Sequence, residues 1–432
     1  MRIDLSSIVD SGSWLVQPLG RLVLVMSLLA FNGQATPLNG QVLPQLSDPD
    51  QLLSEISQHV ETSFYDRRFD TDSWREQVER IRSEVASSPS LDAFDRSLNQ
   101  LIGNLNASHT YFFSRNNPKR YQLLGIFHAL FDANHHSLFQ YCGAGLDTRV
   151  IDGRTMVVSV YDGLPADRAG LRFGDQIVSV EGEPFHPMNS FHGKAGQPIT
   201  FQIRRGATSI QLEIIPELLD GRTMFESALR DSIRVIERDG RRIGYLHAWS
   251  YAGTKYQEMI REALVWGKLS QCDGLVLDIR DGWGGADINY LNLFRQPIAR
   301  VQSLPRTGDE VSFSGVWGEP VVLLTNRRST SGKELLSYGF KKLKLGTVVG
   351  TPTAGAVLAG RCILLDSQDV LYLATADVRI DGQRLEGKGV RPDVLVERPI
   401  QAEPQGDPQL KSALKLLLEK IESPQSSLQL PR

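Results

Sequence analysis

The spacing of apolar residues divides the chain into regions of different periodicity. From about residue 48 to 115, apolar residues recur three and four positions apart, as in amphipathic helices. Asp48-Pro49-Asp50 and Ser90-Leu91-Asp92 are typical helix starts, because their Asp and Ser side chains can accept hydrogen bonds from the first turn. We therefore predict a helical domain at 48–120, preceded by a linker at 36–47.

The pattern changes to short alternating strands between about 137 and 216. Glycine turns separate the segments RTMVVSVY, DQIVSVEGEPF and ITFQIRR, which have the period of two that half-buried strands show. A short helix at 166–169 ends at Gly170. This region is predicted to be a compact β-rich module at 137–216.

From about 230 to 400, predicted strands alternate with predicted helices. The strands are RRIGYLHAW, CDGLVLDIR, PVVLL and GTVVG, and the helices are TKYQEMIREALVWGKL, ADINYLNLFRQPI and GKELLSYGFKKL. This alternation indicates parallel βα units. Residues 401–432 contain one amphipathic helix, DPQLKSALKLLLEKI, and a tail.

Composition narrows the classes of function. The 432 residues are 41% hydrophobic and carry a formal net charge of -3 with no long basic run, which argues against nucleic acid as a main partner. The three cysteines, Cys142, Cys272 and Cys362, are too far apart for a disulfide framework. No CxxC or His-rich spacing indicates a metal site. We expect buried structural thiols and neither a metal nor an organic cofactor.

The N-terminus predicts export. Arg21 precedes the apolar stretch LVLVMSLLAF, and the following GQA has small residues where a signal peptidase cleaves. We predict a signal peptide at 1–35, with an uncleaved anchor or a buried helix as the alternatives. No other segment is apolar enough to span a bilayer.

Ser331 is the first candidate for chemistry, because it stands where a predicted strand hands over to a helix. The Ser-x-x-Glu spacing to Glu334 also fits a capping box, so capping is the alternative, and Ser329 and Thr330 compete as nucleophiles. The N–H of Gly332 could serve an oxyanion hole. Gly284 and Gly285 follow a second predicted strand, and Gly284 could present another N–H, although an ordinary turn explains the glycines equally well.

The segment PADRAGLRFGDQIVSVEG resembles the core of a PDZ domain. The resemblance implies that YCGAGLDT contains a carboxylate-binding loop, whose N–H groups at Gly143, Ala144, Gly145 and Leu146 would take a peptide C-terminus. A purely structural module is the alternative.

Four further segments resemble the S41 serine peptidases. They are GLVLDIRDGWGG, STSGKELLSYG, VVGTPTAG and EGKGVRPDVLVE, and LNASHTYF resembles the end of the family's helical domain. The resemblance spans roughly 48 to 420. It implies a multidomain α+β fold: an N-terminal helical domain, a PDZ module, and a crotonase-like βα peptidase core at 230–400.

The same resemblance raises the question of the general base. Carboxy-terminal processing proteases have a Lys where this chain has Ala356, and a helix directs Lys333 and Lys342 away from the Ser331 hydroxyl. The tricorn-like branch uses a His on the strand matching RIGYLHAW, which implies His247 as base.

In that branch a Ser and a Glu orient the His, which implies Glu386 here. The orienting Ser precedes the His, but this chain has Leu246 there, so Glu386 is expected to reach His247 directly, through Ser250 or through water. We interpret His109 as a buttress of the helical domain.

The sequence therefore predicts an exported, periplasmic serine endopeptidase. Its expected catalytic residues are Ser331, His247, Glu386, Gly284 and Gly332, and its PDZ module would recruit or gate polypeptide substrates. No membrane span is expected after signal cleavage, and an oligomer is left open. The alternative is a non-catalytic peptide- or ligand-binding protein on the S41 scaffold.

Overall fold

A computed structural model describes residues 48–87, 90–131, 135–299, 301–308, 311–400 and 406–422. The predicted signal peptide at 1–35 and the linker at 36–47 lie outside the described residues.

Amphipathic helices open the described chain: α1 (Pro49–Ser63), α2 (Thr71–Ala86) and α3 (Leu91–Gly103). Both predicted helix starts are confirmed. Asp48 Oδ1 accepts a hydrogen bond from the Asp50 N–H at 3.0 Å, and Ser90 Oγ accepts one from the Ala93 N–H at 3.2 Å. The chain then forms β1 (Tyr111–Phe113), which the helical pattern did not predict, and α4 (Pro118–Ile126).

The β-rich region has the predicted strand composition. Its elements are β2 (Gln140–Gly143), β3 (Leu146–Ile151), β4 (Arg154–Val160), α5 (Pro165–Arg168), β5 (Gln176–Val180), β6 (Ile199–Arg205), β7 (Thr208–Ile214) and β8 (Glu217–Asp220). The antiparallel sheet has the order β3-β4-β5-β6-β7, and β2 pairs with β8. β3 is therefore an edge strand, and one of its sides is not paired with a strand of this sheet.

The core region begins after this module. Its elements are α6 (Met224–Ser232), β9 (Arg234–Arg238), β10 (Arg241–His247), α7 (Thr254–Val265), β11 (Gly274–Asp278), β12 (Val301–Ser303), β13 (Val311–Phe313), β14 (Val321–Thr325), α8 (Gly332–Lys342), β15 (Gly346–Gly350), β16 (Ala359–Leu364), β17 (Val370–Ala376), β18 (Arg379–Ile380), β19 (Gln383–Arg384), β20 (Val394–Leu395) and α9 (Pro408–Glu422).

The central sheet has the order β20-β15-β14-β11-β10-β9, and all its pairs are parallel except β9 with β10. Its strands are apolar on both faces, because Val322 packs toward α9 while Leu323 packs toward the helices of the opposite face. Burial on both faces explains why PVVLL reads as a continuous apolar run rather than an alternating one. The βα prediction is confirmed, and the fold is multidomain α+β.

A second sheet connects the N-terminal region to the core. β1 pairs antiparallel with β17, with Tyr111 opposite Tyr372, and β17 pairs with β16. Leu371 and Leu373 of β17 belong to the same apolar cluster as Leu53 and Leu98 of the helices. This pairing brings the residues just before β1 to the edge of the core.

One predicted element is different in the structure. The segment ADINYLNLFRQPI was expected to be an α-helix, but residues Ile288–Phe294 form a 3₁₀-helix. Leu291 and Phe294 are both buried, and three residues per turn place them on one side. Among the described residues, no helix combines the length and apolar character that crossing a membrane requires.

Candidate active site

Ser331 lies at the N-cap of α8, at the carboxyl end of β14. Its backbone has φ 58° and ψ -128°, a region that a residue with a Cβ rarely adopts. Its N–H donates to the Ala356 carbonyl at 2.8 Å and to Glu334 Oε1 at 3.2 Å. The predicted pairing of Ser331 with Glu334 is therefore present, in a strained turn that surrounding contacts hold in place.

Ser329 does not have the position of a nucleophile. It is fully buried, and its hydroxyl donates to the Ile279 carbonyl at 3.0 Å and accepts from the Asn326 N–H at 3.0 Å. These bonds tie the loop before Ser331 to the end of β11. Of the two serines, only Ser331 is partly exposed.

Gly284 and Gly332 lie against each other beside Ser331. A Cβ on Gly284 would come within 2.5 Å of Ser331 Cβ and 3.2 Å of the Gly332 nitrogen. Neither glycine N–H donates a hydrogen bond within the described part of the chain. Two free N–H groups beside one hydroxyl are what an oxyanion hole requires.

The Glu386 carboxylate forms a relay with Ser108 and His109. Ser108 donates to Glu386 through its hydroxyl at 2.9 Å and through its N–H at 3.1 Å. The same hydroxyl lies 3.0 Å from His109 Nδ1. Because the hydroxyl proton points to Glu386, its oxygen accepts from Nδ1–H, which leaves His109 Nε2 as the unprotonated nitrogen.

His109 is buried, with 7% of its surface exposed, and its ring lies 5.3 Å from that of Tyr372. Burial lowers the pKa of His109 to about 4, and the nearby Glu386 charge opposes that shift only in part. The imidazole is consequently neutral at pH 7 and able to accept a proton.

His247, the base expected from the sequence, has other neighbours. Its Nε2 lies 2.9 Å from the Arg280 carbonyl, and its ring stacks on Trp249 at 3.7 Å between centroids. Its nitrogens lie 3.8 Å from carboxylate oxygens of Asp162 and Asp278. It lines a cavity of about 870 Å³ between the β-rich module and the core.

The expected pairing of His247 with Glu386 is therefore corrected. The pairing of β10 with β11 places His247 opposite Asp278 at the carboxyl ends of these strands. Glu386 lies elsewhere and accepts from the Val357 and Leu358 N–H groups. No hydrogen bond joins Ser331 Oγ to either His109 or His247 within the described residues.

The nearby lysines are engaged elsewhere, as the sequence indicated. Lys333 is fully buried, and its ammonium donates to the carbonyls of Asp281 at 2.7 Å and Trp249 at 3.1 Å. Burial lowers the pKa of Lys333 to about 7. Lys342 is exposed and pairs with Asp381 at 2.6 Å.

A buried ion pair lies at the end of β11, a few residues before the glycine turn. Arg280 contacts Asp278 with Nη2 to Oδ2 at 2.6 Å, both fully enclosed. Burial would raise the pKa of Asp278, but Arg280 and His247 lower it well below its ordinary value. The carboxylate therefore stays ionised and fixes Arg280, whose N–H and guanidinium both donate to it.

The predicted carboxylate-binding loop joins β2 to β3. Its carbonyls at Ala144 and Gly145 accept from the Ala166 and Tyr161 N–H groups at 2.8 and 3.0 Å. The N–H groups of Ala144 and Gly145 donate no hydrogen bond within the described residues, although both residues are buried. Two buried free donors beside the open edge of β3 can receive a carboxylate and an added strand.

Asp147, directly after this loop, contacts the loop that leads to Ser331. Its Oδ2 lies 2.9 Å from Arg328 Nη2 and 3.0 Å from Lys119 Nζ. Arg328 also donates to the Val158 carbonyl of β4 at 3.2 Å. The β-rich module and the Ser331 loop are thus joined through one buried charge cluster.

Ser108 is given no role from the sequence and His109 is interpreted as a buttress of the helical domain, whereas the structure places both beside Glu386. One signal was available, because Ser108-His109 has the expected order of an orienting Ser before a His, which Leu246-His247 lacks. The positive φ of His109 (55°) and the pairing of β1 with β17 could not be read from the sequence.

Comparison with known proteins identifies two segments of the chain. Residues 242–396 match the model described as peptidase family S41, and residues 143–215 match the PDZ domain. The chain carries an S41 peptidase domain. Ser331 and Glu386 lie inside the S41 domain, whereas Ser108 and His109 precede both matched segments.

Several known proteins are similar in sequence to this chain. The tricorn protease of Thermoplasma volcanium is 28% identical over 58% of this chain and 25% of its own length. The carboxy-terminal processing protease CtpB of Bacillus subtilis is 24% identical over 63% of this chain and 59% of its own length. Tricorn protease homolog 1 of Streptomyces coelicolor is 26% identical over 86% of this chain and 35% of its own length.

The chain thus spans between a quarter and about three fifths of the length of these three relatives. The crystal structure of the tricorn protease has a TM-score of 0.51 at 21% identity, covering 87% of this chain and 37% of that chain. This likeness shows the fold.

Proposed function

We propose that the protein is a serine endopeptidase that cleaves polypeptides with Ser331 as nucleophile and His109 as general base. The observation that carries the proposal is the relay from Glu386 through Ser108 to His109 Nδ1, which leaves Nε2 free to accept a proton. His109 takes the role that the sequence suggested for His247, while Glu386 keeps its role as the orienting carboxylate.

The reaction follows from these groups. The Ser331 hydroxyl attacks the scissile carbonyl, and its proton passes to His109 Nε2. The N–H groups of Gly284 and Gly332 stabilise the oxyanion. The imidazolium then protonates the leaving amine, and water releases the acyl group by the same steps in reverse. Glu386 steadies the charged ring through Ser108.

One loop contacts both Ser331 and Glu386, the carboxylate that orients the proposed base, which supports their joint role. The Ala356 carbonyl accepts from Ser331, and the next residue, Val357, donates to Glu386 at 2.7 Å. In unliganded enzymes the hydrogen bond between nucleophile and base is often long and tightens when substrate binds. A Ser331–His109 bond is therefore expected in the substrate complex.

The PDZ module would recruit or gate the substrate. The free N–H groups of Ala144 and Gly145 support binding of a peptide C-terminus, with Gly143 and Leu146 flanking the loop. Export to the periplasm rests on the signal-peptide pattern at 1–35. N-terminal sequencing of the secreted protein would check the cleavage after residue 35.

A fluorophosphonate probe with fluorescein-labelled casein tests the proposal. The wild type should be labelled on Ser331 and should cleave casein. Ser331→Ala should abolish both, and His109→Gln should lower both by about 10²–10⁴-fold. His247→Asn serves as the matched control and should stay within a few-fold of the wild type.

Two outcomes would reject parts of the proposal. A wild type that is labelled no more than Ser331→Ala would favour the non-catalytic binding protein. Normal labelling of His109→Gln together with loss of labelling in His247→Asn would indicate that His247 is the base.

A further inference from the structure

Four consecutive N–H groups bind two carboxylates from distant parts of the chain. Gly355 and Ala356 each donate to Glu334 at 2.7 Å. Val357 and Leu358 donate to Glu386 at 2.7 and 3.2 Å. We call residues 355–358 the bridging loop, because it joins the first turn of α8 to the Ser108–His109 relay.

Glu334 is attached to the nucleophile as well as to the bridging loop. Its Oε1 accepts from the Ser331 N–H at 3.2 Å, and its Oε2 accepts from Thr353 Oγ1 at 2.6 Å. The side chain is fully buried, and burial raises the pKa of Glu334 against the effect of these donors. The two carboxylate oxygens of Glu334 thus accept hydrogen bonds from both the Ser331 turn and the segment 353–356.

Helix capping accounts for only part of this arrangement. A capping box needs the single bond from Glu334 to the Ser331 N–H. The bonds to Thr353, Gly355 and Ala356 do nothing for the helix terminus, but they fix the loop whose next two N–H groups hold Glu386.

The backbone conformation of Ser331 explains why the hydrogen bonds between Glu334 and the bridging loop matter. A non-glycine residue in a sparsely populated conformation is strained and persists only where its surroundings over-determine it. The Ser331 N–H has two acceptors, the Ala356 carbonyl and Glu334, and Ala356 itself donates to Glu334. These three groups close a small ring of hydrogen bonds around the strained turn.

We propose that Glu334 is a positioning residue that sets, through the bridging loop, the placement of Ser331 relative to His109. The inference rests on the proposed function. Glu334 touches neither substrate nor a reacting atom in this role. It keeps Ser331 correctly placed for attack in the transition state and does not bind the substrate. Its loss should therefore lower kcat and leave KM nearly unchanged.

Glu334→Gln is the direct test, because it keeps the size of the side chain and turns one acceptor into a donor. That NH₂ group would face a backbone N–H of Gly355 or Ala356, and the bridging loop should shift. We expect kcat for fluorescein-labelled casein and the fluorophosphonate labelling rate to fall at least tenfold, with KM within twofold. Ser337→Ala is the control: its hydroxyl donates to the Lys333 carbonyl in the same buried helix face, away from the loop, and both rates should be unchanged.

A matched pair at Thr353 covers the case in which Glu334→Gln does not fold. Thr353→Ser keeps the hydroxyl that donates to Glu334 and should label like the wild type. Thr353→Val keeps the shape without the hydroxyl and should label at least threefold more slowly than Thr353→Ser. Equal labelling of the two Thr353 variants would overturn the inference.

A double-mutant cycle examines the coupling between the two carboxylates. If the bridging loop links them, the combined Glu334→Gln and Glu386→Gln variant should lose less than the product of the single fold-changes. A loss equal to the product would overturn the inference, as would equal rates for Glu334→Gln and Ser337→Ala. Absence of Ser331 labelling in the wild type would instead reject the proposed function.

Discussion

His109 and His247 are both buried, but the groups around them differ. His109 Nδ1 faces a hydroxyl that donates to a carboxylate, which orients the ring and selects its tautomer. His247 Nε2 is engaged by a backbone carbonyl, and its ring stacks on Trp249. These partners favour His109 over His247 as the proposed base.

The pH dependence of labelling should report the state of His109. Burial lowers its pKa to about 4, so the ring is protonated below that pH and neutral above it. The fluorophosphonate labelling rate should therefore rise near pH 4 and change less than twofold between pH 5.5 and 7.5. A histidine with the ordinary pKa of about 6.5 would give roughly a tenfold rise over that interval.

A midpoint near pH 6.5 would contradict this assignment. A midpoint near pH 7 that disappears in Lys333→Met would instead identify the buried Lys333 as the titrating group. Rates should be measured at temperatures where circular dichroism shows every variant folded across the pH range.

The ends of β11 and β14 and the start of α8 form the candidate site. β11 leads to the glycine turn and β14 leads to Ser331, and adjacent parallel strands end at the same edge of the sheet. The motifs GLVLDIRDGWGG and STSGKELLSYG therefore come together in the way that their strand-helix patterns indicated. Close contact between their backbones is possible because Gly284 has no side chain.

Gly284→Ala should disable the nucleophile without unfolding the protein. The new Cβ would lie 2.5 Å from Ser331 Cβ and 2.6 Å from the Thr330 carbonyl oxygen, so the turn or the nucleophile must move. A displacement of about 1 Å can cost about 10²-fold in rate. We expect a loss of that size in fluorophosphonate labelling.

Gly318→Ala is the control for this substitution, because a Cβ there meets no atom within 4 Å. It should label at the wild-type rate. Wild-type labelling of Gly284→Ala would show that the turn tolerates the methyl group and does not hold Ser331.

A buried charge cluster connects the PDZ domain to the S41 domain. Burial would raise the pKa of Asp147, but Lys119 and Arg328 keep it below its ordinary value. Because Arg328 lies three residues before Ser331, movement of β3 would be transmitted to the nucleophile loop. The loop Gly143–Leu146, which is proposed to bind a peptide C-terminus, directly precedes Asp147 in the chain.

Asp147→Asn should weaken this connection. Removing one partner of a buried ion pair leaves the other charge uncompensated, which costs about 3–5 kcal/mol. We expect the free energy of unfolding to fall by an amount of that order, and the labelling rate of Ser331 to fall about tenfold. Urea unfolding and fluorophosphonate labelling measure the two effects.

Glu217→Gln provides the comparison, since its partner Arg168 is an exposed residue of the same domain. An exposed pair contributes about 0.2–1 kcal/mol, and it does not reach the nucleophile loop. If both variants lose stability and labelling equally, the Asp147 contact has no special role in the site.

The sequence by itself determined the amphipathic helices, the parallel strands β10, β11, β14 and β15, and the two motifs around Ser331 and Gly284, because these depend on local periodicity and on short-range turns. It did not predict β1 or the 3₁₀ form of Ile288–Phe294. The proposal of His109 as the base depends on tertiary structure instead. β1 pairs with β17, so Tyr111 lies opposite Tyr372 across more than 250 residues of chain. This pairing carries Ser108 to Glu386, and no local pattern encodes a hydrogen bond over that separation.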